Sequence, residues 1–134
     1  MVLGEPDPLP EWSAIERMVT SSLTEVESAR TLDRMRLLGD LTDDELATFR
    51  ETVARILGAT DVINLDRQVL GRAAQPFPTP LGTLDAIHLA SALLYRDDEP
   101  DLVLATHDTQ LATAARASGV TVIGWKRVVK KTRR

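Results

Sequence analysis

Apolar and polar residues alternate along the chain between a helical and a strand rhythm, without repeats or low-complexity runs. Trp12, Ile15 and Met18 recur at helical spacing and predict a short helix over 11–18, followed by a short strand from Met18 to Leu23. Residues 25–38 predict a helix that stops at Gly39. Leu46, Phe49, Val53, Ile56 and Leu57 mark the clearest amphipathic helix. Thr42 and Glu45 open it as a capping box, in which each side chain satisfies an orphan amide of the first turn. A strand is predicted at 61–65 and a short helix at 66–74. The segment QPFPTPLG (75–82) carries three prolines, so it reads as a rigid loop leading into a helix at 83–95. Residues 101–106 are a continuous apolar run, the pattern of a strand buried on both faces. A helix from Asp108 to Ser118, a stop at Gly119 and a last strand at 120–123 complete the chain. Strands alternating with helices predict a parallel sheet covered on both sides, a three-layer α/β/α domain.

Composition narrows the chemistry. With 134 residues, 43% hydrophobic and 27% charged, one globular domain is expected. No apolar run approaches the roughly 18 residues of a membrane span, and no secretory leader is visible, so the cytoplasm is the expected setting. The absence of cysteine excludes disulfides, thiolate metal sites and cysteine nucleophiles. All three lysines lie in the segment 126–134, which excludes a P-loop lysine from the body of the chain. His88 and His107 are too few for a three-histidine zinc site. An enzyme built from this chain works mainly with carboxylates.

Charge is divided unevenly. Residues 126–134 hold six of the 16 basic residues and no acid, leaving 10 basic against 20 acidic residues over 1–125. The body therefore carries −10 and the tail +6. Such a body repels nucleic acid unless a cation or a basic arm intervenes. Lys126, Arg127, Lys130 and Lys131 are candidate RNA contacts in that arm; a solvated terminus is the plainer reading. The expected organisation is a domain over 1–125 and a basic tail over 126–134.

In parallel α/β folds, ligands sit beyond the carboxyl ends of the strands. Three acids fall at that edge by sequence position: Glu27, Asp85 and Asp108. Each has a purely structural reading. Thr24 and Glu27 fit a capping box, Asp108 fits an N-cap, and Asp85 complements a helix dipole just past a Thr83 cap. Brought together, three like charges need a cation, and hard oxygen ligands suit Mg²⁺ or Mn²⁺. Such an ion suggests phosphodiester hydrolysis.

At these residues the chain resembles a PIN domain, in particular the VapC-type toxins of bacterial toxin–antitoxin pairs. The stretches that carry the resemblance are SSLTEVESAR (21–30), TLDAIHLASALL (83–94) and LATHDTQLATAARASGVTV (104–122), with GEPDP (4–8) resembling an early turn of the family. It implies a metal-dependent endoribonuclease neutralised by a cognate VapB-like antitoxin, as a homodimer or a toxin–antitoxin hetero-oligomer. The family's glutamate, its Leu-Asp-Ala aspartate and its later aspartate map onto Glu27, Asp85 and Asp108. Thr106 matches a supporting polar position. The family's first strand, with a further aspartate, has no counterpart here, so a PIN-like domain lacking that strand is expected, and its activity as it stands is left open. A non-catalytic PIN-like module binding a partner protein or RNA is the alternative.

Arg30, three residues beyond Glu27, is a candidate partner for an acid of the site or for a phosphate, with an i,i+3 surface ion pair as the plain reading. His88 lies one turn beyond Asp85 on a largely apolar helix and reads as a packed histidine.

Overall fold

A computed structural model of the chain describes residues 17–125. The helix expected over 11–18 (apart from its end), the GEPDP turn, and Lys126, Arg127, Lys130 and Lys131 lie outside these residues. The described chain forms two compact units that divide at Arg67 and Gln68.

The first unit contains strand β1 (Val19–Ser21), helix α1 (Leu23–Leu37), helix α2 (Asp43–Gly58) and strand β2 (Asp61–Ile63). The strands pair in parallel, Val19 opposite Asp61 and Ser21 opposite Ile63. The ladder continues at both ends through Asp61 N–H to the Met18 carbonyl and Ser22 N–H to the Ile63 carbonyl. Parallel neighbours need a long crossover, which α1 and α2 supply. Helix α2 starts where the sequence signals it. The Glu45 amide donates to the Thr42 hydroxyl at 3.1 Å, and the Glu45 carboxylate accepts from the Thr42 amide at 3.3 Å. Helix α1 ends in a Schellman motif: Gly39, at φ 73°, donates to the Arg36 carbonyl, and Asp40 to that of Met35.

Helix α3 (Arg67–Ala73) begins at the division and leads into the second unit, with helix α4 (Thr83–Asp98), strand β3 (Val103–Ala105), helix α5 (Thr109–Ala117) and strand β4 (Thr121–Ile123). Strands β3 and β4 are parallel, Val103 opposite Thr121 and Ala105 opposite Ile123, with α5 as their crossover. Helix α5 also ends in a Schellman motif: Gly119, at φ 83°, donates to the Arg116 carbonyl, and Val120 to that of Ala115. The core is Leu89 and Leu93 from α4, Leu111, Ala114 and Ala115 from α5, and Val120, with Phe77, Leu81, Leu104 and Val122 packed against it. The small alanines of α5 pack beside Leu111 against Leu89 and Leu93 of α4.

The α/β class and the parallel pairing are those expected. The environment of residues 101–106 differs from expectation. Val103 is 44% exposed and Ala105 is exposed as well, so this apolar run is not buried on both faces. Among the described residues strand β3 pairs only with β4, and the elements packed on it leave the Val103 side open to solvent. No helix among the described residues is long and apolar enough to cross a membrane.

Candidate functional site

The turn from β3 into α5 is built by three consecutive residues. The Thr106 amide donates to the Ile123 carbonyl at 3.1 Å and ties the strand end to β4. The buried Thr106 hydroxyl accepts from the Asp108 amide at 3.0 Å, which bends the chain out of the strand. Asp108 then caps α5, its Oδ1 accepting the Leu111 amide at 2.8 Å. One carboxylate oxygen thus serves the helix, while Oδ2 is directed to no hydrogen-bond donor among the described residues. Thr106 therefore positions Asp108 through the backbone. His107, between them, is half-buried.

Asp85 lies in the first turn of α4 and is half-buried. The cap is Gly82, with no side-chain hydrogen bond, and Thr83 is already helical, so the expected Thr83 cap is not formed. With no side chain at the cap, the amides of this turn rely on other acceptors, and a carboxylate there is favoured by the helix dipole. His88, one turn further, is half-buried, and both it and Asp85 engage other groups of the protein. Asp85 and Asp108 belong to the same unit, each at the start of a helix.

Glu27 belongs to the other unit, on α1, half-buried and with an interaction partner of its own. The expected capping box of Thr24 and Glu27 is not formed. Helix α1 begins at Leu23 with Ser22 as its cap, so Thr24 lies inside the helix. The buried Thr24 hydroxyl bonds instead to that of Thr20, at 2.7 Å. Glu27 loses the capping explanation. The Arg30 guanidinium pairs with Asp33 at 3.5 Å and is largely exposed. Arg36 donates to Asp33 as well, at 2.9 Å, and this hydrogen bond, with the positive charges of Arg36, Arg30 and Arg50, holds the Asp33 carboxyl below its ordinary range.

The donor set Glu27, Asp85 and Asp108 consists of hard oxygens, and by chemistry it fits Mg²⁺ or Mn²⁺. Among the described residues, no three acidic or imidazole groups are gathered closely enough to hold a metal ion.

Two features escape a reading by sequence position. A groove in the second unit runs along the proline-rich loop and the start of α4, lined by Phe77, Thr79, Leu81, Thr83, Ala86 and Ile87. The Thr79 hydroxyl there is buried without a hydrogen-bond partner, as is Nη1 of Arg72, whose guanidinium stacks on Phe77 with 4.6 Å to the ring centroid. The second feature is a stack of Arg116 on Trp125, 4.4 Å from guanidinium to ring centroid. The one signal for it is a tryptophan directly ahead of the basic run.

Comparison with known proteins fits these elements into a wider group. The PIN domain family matches residues 2–117. Ribonuclease VapC35 of Mycobacterium tuberculosis is 32% identical over 123 residues, covering 89% of this chain and 83% of that protein. Ribonuclease VapC46 of the same species is 34% identical over 114 residues, covering 85% of this chain and 84% of its own length. No solved structure matches the chain significantly. With a family match over most of its length and relatives of this identity and coverage, the chain belongs to the PIN domain family.

Proposed function

We propose that the chain is a ribonuclease that hydrolyses RNA phosphodiester bonds with Mg²⁺ or Mn²⁺, using Glu27, Asp85 and Asp108. The observation that carries the reading is the PIN match spanning all three acids, together with relatives that are named ribonucleases. A divalent ion, when bound, supplies an activated water and neutralises phosphate charge. The protein's own contribution is to present carboxylates at helix starts. Asp108 is fixed by Thr106 on one side and by the Leu111 amide on the other, and Asp85 lies in the first turn of a helix with a bare glycine cap. A cognate VapB-like antitoxin is the expected inhibitor, in a homodimer or a toxin–antitoxin hetero-oligomer, and the cytoplasm the expected compartment.

A second reading, a non-catalytic PIN-like module that binds RNA or a protein, is favoured by one observation: the described residues hold no ready three-group metal cluster. Cleavage of a labelled RNA pool with Mn²⁺, with excess chelator, and with the Asp85→Asn variant separates the two. The nuclease cuts with Mn²⁺ and stops with chelator. Asp85→Asn slows it by about 10²–10³-fold, the scale of losing one preorganised electrostatic group. Cutting by Asp85→Asn at the parent rate sinks the assignment.

A further inference from the structure

Arg30 and Arg36 of α1 both pair with Asp33. Arg17 likewise pairs with Asp61. Arg116 is exposed, in the last turn of α5, and among the described residues no carboxylate pairs with it. It lies instead across the indole of Trp125. That contact holds a planar cation in one orientation without neutralising it, which lowers the conformational entropy lost when an anion is gripped.

Its surroundings along the chain have the same character. Gly124, at φ 85°, turns the backbone after β4 and presents Trp125 to α5. From Trp125 the sequence runs directly into Lys126, Arg127, Lys130, Lys131, Arg133 and Arg134, with no acid among them. A stacked aromatic and guanidinium, followed in sequence by a run of cations, is the composition of single-stranded nucleic-acid sites: cations meet phosphates, and flat groups accept bases. An acidic protein segment would use the cations but not the flat surface. Arg116 lies eight residues beyond Asp108 on the same helix, about 12 Å along its axis at the α-helical rise. One strand of RNA can reach both ends of α5.

We propose that Arg116, braced on Trp125, is an RNA-binding site at the C-terminal end of α5. It contacts phosphate and base of single-stranded RNA. The choice of RNA rests on the nuclease reading above; the existence of an anion site rests on the Arg116–Trp125 geometry and the charge.

The test measures binding without cutting. The Asp85→Asn protein in chelator is titrated with a fluorescently labelled single-stranded RNA of roughly 12 nucleotides, within the usual range of site sizes, at several salt concentrations. Each phosphate contact contributes about −0.7 to the slope of log affinity against log salt for a single strand. Arg116→Gln is expected to flatten the slope by about 0.7 and to weaken binding roughly 5- to 100-fold, as loss of a stacked base contact does. Arg116→Lys restores the slope but not the full affinity. Trp125→Phe keeps most of the binding and Trp125→Leu does not. In a Trp12→Phe background, RNA quenches the fluorescence of Trp125, a signal that a purely structural stack would not give. Equal slopes and affinities for the parent and Arg116→Gln overturn the proposal, as does competition by polyglutamate as effective as that by RNA. A protein that binds RNA through Arg116 but never cuts it refutes the nuclease reading and leaves this one standing. One that cuts RNA with an affinity indifferent to Arg116 does the reverse.

Discussion

The two units of the chain keep water out by different means. In the second, burial is mainly apolar, with Ser91 and Thr106 as buried hydroxyls: Leu89, Ala90, Ala112, Ala114 and Ala115 are completely inaccessible, and Leu93, Leu111 and Val120 nearly so. In the first, the buried positions include the hydroxyls of Ser21, Thr24 and Ser28, with Leu32 and Val53 as its buried apolar side chains. Hydrophobic stabilisation scales with the apolar area removed from water, while a buried hydroxyl must find a partner merely to avoid a penalty. The second unit therefore has the stronger independent reason to fold. It also carries Asp85 and Asp108, so the better-packed region supports two of the three proposed acids.

This contrast is open to direct attack. The largest effect is expected at Leu89. Its replacement by alanine removes a fully buried side chain and should cost about 3–5 kcal/mol in denaturant unfolding, on the scale of other core leucines. The same contrast makes the amides of α4 and α5 exchange hydrogen more slowly than those of α1 and α2. Faster exchange in α4 than in α1 would reverse the ranking.

Loss of a helix cap ranks next. Asp108→Ala removes the acceptor for the Leu111 amide and should destabilise the second unit by about 0.5–2 kcal/mol, whereas Asp108→Ser keeps a cap and most of that stability. Thr42→Ala removes the hydroxyl that accepts the Glu45 amide, leaves the Thr42 backbone amide to donate to the Glu45 carboxylate, and should cost about 1 kcal/mol, read as a shift in midpoint at unchanged denaturant slope.

The smallest effect is one of pH, at the exposed cluster of the first unit. The folded-state pKa of Asp33 is lowered, so its pairing with Arg36 and Arg30 stabilises above the unfolded value of about 3.9 and is lost as pH falls through the folded value. The acid limb of the stability curve should therefore shallow in Arg36→Ala. An identical limb in parent and variant would show that water screens the cluster completely.

Much of this could be read from residue order, because it depends on local chemistry. The Thr42–Glu45 box, the Asp108 cap and the left-handed stops at Gly39 and Gly119 are satisfied within a few residues, and all form as expected. Thr24 and Glu27 have the same Thr-x-x-Glu spacing as Thr42 and Glu45 and do not form a box. The hydroxyl of Thr20, one turn earlier in sequence, takes the Thr24 hydroxyl, and the helix begins one residue ahead of Thr24. A motif states what a side chain can satisfy, and the surrounding chain decides whether it is needed. The exposure of Val103 was hidden for a related reason: an apolar run shows that a strand can be covered, and what packs on its faces determines whether it is. The stack of Arg116 on Trp125 joins residues separated by a whole strand, beyond any local pattern.

The central claim is that Glu27, Asp85 and Asp108 act chemically, beyond serving their helices. The most direct measurement is the Mn²⁺-dependent rate of RNA cleavage by Glu27→Gln, Asp85→Asn and Asp108→Asn, with unfolding followed on the same samples. Asparagine at 108 can still cap α5, so a structural role alone would leave both readings near the parent. The nuclease assignment predicts that each variant folds like the parent and cuts about 10²-fold more slowly or worse. Any one of the three cutting at the parent rate would contradict it.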